Sequence, residues 1–307
     1  MTASGKIPEP FCPRSLSGLF KKALFMKKYT NEIFVGERAL YASSDLKITD
    51  SVFKDGESHL KESRDLDIEN CIFEWKYPLW NCTDVKVKDS TLLTTARSGI
   101  WYTSDIVMEN CTIDAPKTFR RANGIALKSC HLPNAEETLW SCNGIVLDDV
   151  QACGDYFGIN SSDVRANGLM LSGNYAFDGG KNIEISNSRL ISKDAFWNCE
   201  NVTVKNSTVI GEYLGWNSKG LTFIDCTIES NQGLCYIDGL TLIRCKLINT
   251  DLAFEYCKDV DADVIGHVIS IKNPTSGSIS ADSIGEIILD DKFCDPTKTK
   301  ITLKDNV

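Results

Sequence analysis

The sequence has 307 residues, 42% of them hydrophobic, with 33 Lys and Arg against 42 Asp and Glu, so the formal net charge is −9. Hydrophobic residues recur along a chain long enough to bury a large core, which excludes a disordered protein. No apolar run approaches the ~20 residues that a membrane-spanning helix needs. The acidic charge argues against sequence-independent nucleic-acid binding, which depends on neutralising phosphates. We therefore expect a folded protein with neither a nucleic-acid nor a membrane partner.

The N-terminal residues 1–32 precede any regular pattern, and basic residues outnumber acidic ones there. The apolar stretches around Phe20 and Phe25 are separated by Lys21 and Lys22, so they form no continuous secretory core. We expect this segment to be an extension, partly disordered or capping. We also expect a cytoplasmic protein.

A nine-residue pattern then repeats twelve times, at intervals of 19 to 21 residues. It reads polar or Gly, apolar, any, apolar, any, Asn or Asp, Cys or Ser, any, apolar, as in DLDIENCIF from Asp65 and NVTVKNSTV from Asn201. The copies begin at Asp45, Asp65, Asp84, Asp105, Gly124, Gly144, Asp163, Asn182, Asn201, Gly220, Gly239 and Asp259. Chance does not keep this phase over twelve units, so the chain is built from a repeated structural element.

Each repeat predicts strands separated by corners. Apolar residues alternate at the second and fourth positions, which indicates a strand with one buried face. Asn, Asp or Gly at the sixth position favours a sharp corner, because these residues tolerate positive φ. A small residue near the eleventh position, such as Gly154 or Gly173, predicts a second corner. A third short strand would then lead to the next repeat.

The predicted fold is therefore all-β: a single-stranded, right-handed parallel β-helix of about twelve coils of 19–20 residues, spanning residues 33–267. No helical period appears within residues 40–265. Residues 268–307 lose the period, and we expect them to form irregular C-terminal coils and a cap over the open end.

Cysteine is abundant, with 13 residues, but it alternates with serine in two repeat positions. The first comprises Cys71, Cys111, Cys130, Cys226 and Cys245, with Ser51, Ser90, Ser188 and Ser207. The second comprises Cys82, Cys142, Cys199 and Cys257, with Ser43, Ser63, Ser161 and Ser218. This exchange predicts internal ladders of small side chains rather than a disulfide framework. No CxxC pair or His column is present, so we expect no metal site and no cofactor.

An outward-facing column on the third side of the coils is rich in tryptophan. It lies four residues before each repeat and holds five of the six Trp in the chain. We call it the aromatic column, and it reads Tyr41, Lys61, Trp80, Trp101, Arg120, Trp140, Ile159, Asp178, Trp197, Trp216, Cys235 and Glu255. Folding does not require a row of exposed Trp, and large exposed apolar patches usually mark an interaction.

This column predicts a carbohydrate-binding face. The candidate ligand-binding residues are Trp80, Arg97, Trp101, Trp140, Tyr156, Trp197, Tyr213 and Trp216. Carboxylates near the middle of the face could act in glycoside hydrolysis. Arg120 could bind the carboxylate of an acidic sugar or take part in β-elimination. The candidate catalytic residues are Arg120, Asp155, Asp178, Asp194 and Glu212.

Two other interpretations of the same face stay open. The N-terminal segment or a second copy of the chain could cover it, so that the protein is a non-catalytic scaffold or an interaction module, with an oligomer formed through the aromatic face. The charged residues could also form an ordinary solvated surface. Whether the protein is an enzyme is not decided by the sequence.

Specific motifs give the chain a family resemblance over about residues 33–300. They include GERAL (Gly36–Leu40), KYPLWNC (Lys76–Cys82), FRRAN (Phe119–Asn123), DAFWNC (Asp194–Cys199) and EYLGWNS (Glu212–Ser218). With the repeats, they resemble a family of uncharacterised bacterial proteins, a domain of unknown function with a pectin-lyase-like right-handed β-helix. The resemblance implies the fold and carries no established activity. Motifs typical of polygalacturonases within that superfamily are absent.

Overall fold

The computed structural model describes residues 26–292 and 294–304 as a parallel β-solenoid with almost no helix. It has about fifteen coils of close to 19 residues, and the crossover rule gives parallel coils of this kind a right-handed winding. The predicted all-β fold is confirmed. One coil precedes the twelve predicted ones, starting at Lys27, and two follow them, starting at Gly277 and Thr299.

The first side of the solenoid is a stack of strands, mostly six residues long. They are Lys27–Thr30, Ser44–Thr49, Arg64–Glu69, Thr83–Lys88, Ser104–Glu109, Asn123–Lys128, Asn143–Asp148, Ser162–Asn167, Lys181–Ser186, Glu200–Lys205 and Lys219–Ile224. Neighbouring strands pair in parallel at one-coil offsets, for example Leu46 with Leu66 and Val202 with Leu221. The predicted apolar second and fourth positions are buried in all twelve repeats.

The second side consists of shorter strands. They are Ile33–Phe34, Val52–Phe53, Ile72–Phe73, Thr91–Leu92, Thr112–Ile113, His131–Leu132, Gln151–Cys153, Met170–Ser172, Arg189–Ile191, Thr208–Ile210 and Thr227–Asn231. Toward the C-terminus the first two sides merge into the long strands Asp238–Asp251, Val260–Lys272 and Gly277–Ile288, followed by Thr299–Leu303. Two short 3₁₀ helices complete the described elements, at Thr94–Ala96 and Pro296–Lys298.

The third side corrects the prediction of a third strand. Strand structure occurs there only at Ile100–Trp101 and Phe119–Arg120, within the part of the chain that the structure describes. Elsewhere the side is a stack of tight turns, because alternate residues have positive φ: 58° at Asp194, 61° at Phe196 and 54° at Asn198. These turns still bond from coil to coil, as in the 2.9 Å bond from the Asp194 N–H to the Glu212 carbonyl.

The predicted corner at the sixth position has the positive φ that its residue types favour, for example 51° at Asn70 and 48° at Asn206. A second left-handed residue occurs at the first position of the repeat, as at Asp65 (55°) and Asn201 (58°). This explains why that position holds Asp, Asn or Gly. Asp, Asn or Gly at the first position of each repeat is thus a sequence signal for a second corner and not only for a polar residue.

The small residue near the eleventh position is required by close backbone contact. A Cβ built on Gly173 would lie 2.1 Å from the carbonyl oxygen of Gly154, and one on Gly211 would lie 2.0 Å from that of Ser192. Both separations are far below van der Waals contact, so this corner stacks only when its residues are small.

The two Cys and Ser ladders form as predicted, and all twelve cysteines that the structure describes are free. Their serines do more than fill space. The Ser188 hydroxyl accepts the N–H of Leu169 at 2.9 Å, and the Ser218 hydroxyl accepts that of Cys199 at 3.0 Å. Each ladder therefore satisfies a buried amide of the preceding coil. Burial raises the pKa of the thiols of Cys82, Cys142 and Cys199 to about 12, which keeps them protonated.

At the two ends, the solenoid extends past the predicted boundaries of residues 33–267. Strand Lys27–Thr30 pairs with the coil that begins near Asp45, although it falls within the predicted extension. Strands Val260–Lys272, Gly277–Ile288 and Thr299–Leu303 continue the parallel pairing into the predicted cap, with coil offsets of 17 and 22 residues at Ala262–Ile279 and Ile279–Ile301. Residues 1–25 of the predicted extension lie outside the described residues.

Replacing Gly173 by Ala should destabilise the solenoid by about 1–3 kcal/mol, because the new Cβ would overlap the Gly154 carbonyl. The matched control is Gly36→Ala, which also has positive φ but nothing within 4 Å of the added Cβ. Urea unfolding followed by circular dichroism measures both. Equal losses in the two variants would show that backbone strain, and not the inter-coil contact, sets the cost.

Candidate functional site: the aromatic column

The structure places all five predicted Trp of the aromatic column on one side of the solenoid. Consecutive side chains touch: the ring centroids of Trp80 and Trp101 are 5.0 Å apart, and those of Trp197 and Trp216 are 5.9 Å apart. All five indoles are half-buried. The sixth tryptophan, Trp75, lies outside the column.

The first stack runs from Tyr77 to Trp140. Tyr77 packs edge-on against Trp80, which lies over Trp101. The Arg120 guanidinium then lies between two indoles, 4.6 Å from the centroid of Trp101 and 4.8 Å from that of Trp140. The arginine thus takes the place of an aromatic ring in the column through two cation–π contacts.

The second stack runs from Trp197 to Tyr256. Trp216 lies 4.4 Å from Tyr236, and Tyr236 lies 5.1 Å from Tyr256. The last two residues were not predicted as part of the site. They lie one position after the buried column residues Cys235 and Glu255, and Tyr213 packs edge-on against Trp216. In the sequence, each of these tyrosines directly follows a column residue that is not aromatic, and it supplies a ring to the stack.

Ring faces within each stack point toward neighbouring rings. The interplanar angles are 31° for Trp80 on Trp101, 35° for Trp197 on Trp216 and 34° for Trp216 on Tyr236. Two indoles are also fixed by hydrogen bonds to the next coil: Trp101 Nε1 donates to the Lys117 carbonyl at 2.8 Å, and Trp197 Nε1 to that of Tyr213 at 2.6 Å. Inside the stacks the column therefore offers ring edges to solvent and keeps most ring faces covered.

The column is interrupted between Trp140 and Trp197. The two intervening positions hold Ile159, which is 9% exposed, and the half-buried Asp178. Beside this break, Tyr156 and Tyr175 stack face to face with centroids 4.9 Å apart, and Tyr175 meets Trp197 edge-on. The predicted residues Trp140, Tyr156, Asp178 and Trp197 therefore lie on four consecutive coils at this break.

Arg120, a predicted catalytic residue, is already engaged by the protein. Its guanidinium is covered on both faces by indoles, and one of its nitrogens forms a 3.0 Å ion pair with Glu137, which also pairs with Lys117 at 2.9 Å. This arrangement supports the stack and commits one guanidinium nitrogen to Glu137, while the buried Nε has no hydrogen-bond partner among the described residues. Arg97, a predicted ligand-binding residue, is exposed and lies beside Lys76.

Three of the four predicted catalytic carboxylates have structural partners. Asp155 is exposed and accepts the Asn174 backbone N–H at 2.7 Å. Asp178 accepts the Asn198 side-chain amide at 2.9 Å. Glu212 is exposed and pairs with Lys193 at 3.4 Å, and the Lys193 ammonium lies 5.6 Å from the ring centroid of Tyr213.

Asp194 differs from the other carboxylates because it is buried. Only 2% of the residue is exposed, and its Oδ1 has no hydrogen-bond partner among the described residues. Burial raises the pKa of the Asp194 carboxyl; the Lys193 charge and a hydrogen bond with Tyr175 offset part of this rise, while Glu212 and Asp178 add to it. Of the predicted catalytic groups, Asp194 has the environment most suited to holding a proton.

A groove of about 640 Å³ lies beside the second stack, at the corner between the second and third sides. It contains Asn174, Lys193, Glu212 and Asn231 from the turn that precedes the aromatic column, and Ile191 and Ile210 from the second side. Among the described residues, no group of three His, Cys, Asp or Glu side chains could hold a metal ion. No helix that the structure describes is long and apolar enough to span a bilayer.

Comparison with protein families identifies the chain. The model of a family described as a protein of unknown function, DUF3737, matches residues 27–302. The chain belongs to this family. The match confirms the resemblance to a family of unknown function that the sequence motifs indicated. A search of the curated proteins finds no match to this sequence.

Solved structures with a similar course include the A-module of a mannuronan C-5 epimerase of Azotobacter vinelandii, at 9% identity and a TM-score of 0.32, covering 92% of this chain and 90% of that one. A surface adhesin of Streptococcus pneumoniae has 9% identity and a TM-score of 0.30, covering 94% and 88%. A periplasmic alginate epimerase has 10% identity and a TM-score of 0.27, covering 90% and 77%. At these scores the likenesses carry no argument about function.

Replacing Arg120 by Ala should destabilise the protein by about 1–3 kcal/mol, since two cation–π contacts and an ion pair are lost together. Arg120→Lys should retain the charge but lose the planar stacking, and so give an intermediate loss. The exposed Arg97→Ala variant is the control and should change stability by less than about 0.5 kcal/mol. Urea unfolding measures all three, and an unchanged Arg120→Ala protein would rule out this role in the stack.

The raised pKa of Asp194 predicts a pH-dependent effect of Asp194→Asn. The folded protein binds this proton more tightly than the unfolded chain, so ionising the carboxyl costs stability as pH rises through the unfolded pKa of ~3.9 and up to the folded one. The Asn variant avoids this cost and should therefore gain stability relative to wild type between pH 4 and pH 7. Thermal unfolding at both pH values measures it, with the exposed Asp155→Asn as control. A stability difference that is the same at both pH values would contradict the assignment.

Proposed function

We propose that the protein binds carbohydrate on the aromatic column of its third side. The observation that supports this most directly is that all five indoles of the column keep part of their surface exposed, although each packs against a neighbour within the fold. Amphipathic rings beside hydroxyl, amide and carboxylate groups suit a sugar, which offers apolar C–H faces and many hydrogen-bonding groups. Asn160, Asn174 and Asn198 supply exposed amides along the same face.

The alternative is a scaffold whose aromatic face contacts another protein or a second copy of the chain. The ring stacking favours the scaffold, because rings that pack on one another stabilise the fold without any ligand. Removal of an indole separates the two functions. It should reduce glycan binding if the face binds carbohydrate, and it should reduce the size of the assembly if the face contacts protein.

A glycan array, run with wild-type protein and with Trp140→Ala and Trp197→Ala, tests the proposal. Wild type should bind one class of glycan, and each variant should lose at least about tenfold in affinity, the equivalent of 1.4 kcal/mol. Trp75→Ala is the matched control, because Trp75 is half-buried but lies outside the column. Light scattering on the same proteins separates the alternative: no glycan signal together with a smaller assembly in the column variants would favour the scaffold.

The enzymatic form of this hypothesis, a lyase or glycoside hydrolase, depends on Asp194. It is the one predicted catalytic carboxyl that combines burial with a raised pKa. Turnover of neutral and acidic polysaccharides by wild type and Asp194→Asn tests it, and identical products from both proteins would remove Asp194 from any mechanism. We also propose a cytoplasmic location, because the described cysteines are all unpaired, as is usual for proteins in a reducing compartment.

A further inference from the structure

We infer that the binding site for sugar is the break in the aromatic column, which we call the notch, and that it accepts neutral or amino sugars and excludes uronates. The notch is the space over Ile159 and Asp178, with Trp140 at one end, Trp197 at the other, and Tyr156 and Tyr175 along one side. This inference rests on the proposed function, and it states where on the face the ligand lies and which chemistry it has.

The first argument is which ring surfaces are free. A sugar packs against the face of an aromatic ring, whereas rings inside the two stacks have neighbours over their faces. Trp140 has the Arg120 guanidinium on one side, and on the side toward Ile159 no ring or cation contacts it among the described residues. Trp197 has Trp216 on one side and only the edge contact of Tyr175 toward the notch. Toward the notch, neither indole is therefore stacked on the face of another ring.

The second argument is size. Trp140 and Trp197 lie three coils apart, which corresponds to about 14 Å at ~4.8 Å per coil. The two side chains between them are much smaller than indole, so the notch is a short gap in the row of rings, with one nearly buried apolar side chain and one carboxylate at its base. Such an opening suits a short saccharide and not a long polymer lying over the whole column.

The third argument is charge. Asp155, Asp178 and the buried Asp194 lie on the coils of the notch and of Trp197. Lys193, the cation that acts on Asp194, is itself paired with Glu212 on the coil beyond Trp197. The buried Asp194 has an oxygen without a partner, and its hydrogen-bonded neighbour Tyr175 borders the notch. Acceptors and negative charge favour ligands that bring hydroxyl or ammonium donors, and they repel a uronate. Arg120, the cation predicted to hold a sugar carboxylate, is enclosed by indoles and Glu137 instead.

The decisive variant fills the notch without disturbing the scaffold. Ile159→Trp places an indole where five other coils carry one, so the folded protein should keep its circular dichroism spectrum and its midpoint of unfolding. Isothermal titration with glucose, glucosamine and mannuronate oligosaccharides of two to four units measures binding. We expect wild type to bind the neutral or amino oligosaccharides at least about tenfold more tightly than the mannuronate ones. Ile159→Trp should lose this binding at least about tenfold.

Two further variants serve as a control for misfolding and as a test of the negative charge at the notch. Trp75→Ala, half-buried and outside the aromatic column, should retain affinity within about threefold. Asp178→Asn removes one charge with almost no change of shape and should bring mannuronate binding closer to that of the neutral ligands. If Ile159→Trp fails to fold, Trp140→Ala against Trp75→Ala makes the same comparison.

Each remaining outcome overturns a different statement. Sugar binding that survives in Ile159→Trp would overturn the notch while leaving carbohydrate binding along the column in place. Affinity that falls equally in Trp75→Ala would overturn the assignment of binding to the notch. Tightest binding of mannuronate would overturn the charge argument. No binding of any of these sugars, and no signal on the glycan array, would overturn the proposed function and this inference with it.

Discussion

The hydrogen bonds between successive coils impose the constraint on which the whole structure depends. Each coil is held directly over the last, through parallel pairing on the first two sides and through turn-to-turn bonds of about 2.9 Å on the third, as from the Phe196 N–H to the Ala176 carbonyl. Equivalent side chains are therefore stacked at the strand spacing of ~4.8 Å. A residue that suits one coil must also suit its neighbours above and below, which is why Ser and Cys exchange freely within one ladder and glycine recurs at one corner.

The sequence was sufficient to predict the features that recur at the same position in successive coils. The buried rows, the sixth-position corner, the small-residue corner and the ladders all follow from residues that recur at the coil spacing. The third side was misjudged because its buried residues, such as Phe177 and Phe196, alternate with outward ones as in a strand. Their positive φ angles, 61° at both, produce the same alternation in a turn. The C-terminal coils were missed because offsets of 17 and 22 residues remove the sequence period while the pairing persists.

The location of the aromatic column was predictable from the sequence, but its contacts were not. A column of Trp was visible from spacing, but spacing does not tell whether rings present faces or edges. That depends on side-chain rotation and on bonds such as the one from Trp101 Nε1 to the Lys117 carbonyl. For the same reason Arg120 could be assigned to a substrate from sequence, whereas its position between two indoles and beside Glu137 gives it a supporting role. The same aromatic rows thus contribute to stability within the stacks, and the stacks end at Trp140 and Trp197.

The coil-by-coil construction also has a consequence for how this surface can change over time. Each coil contacts chiefly the coils before and after it, so gain or loss of one complete 19-residue unit alters the length of the rod without altering the groups at either end. The separation between Trp140 and Trp197 corresponds to a whole number of such units. Duplicating or deleting one of these units would change the distance between Trp140 and Trp197 by the height of one coil. The distance between the two indoles can therefore evolve while the residues at each end stay the same.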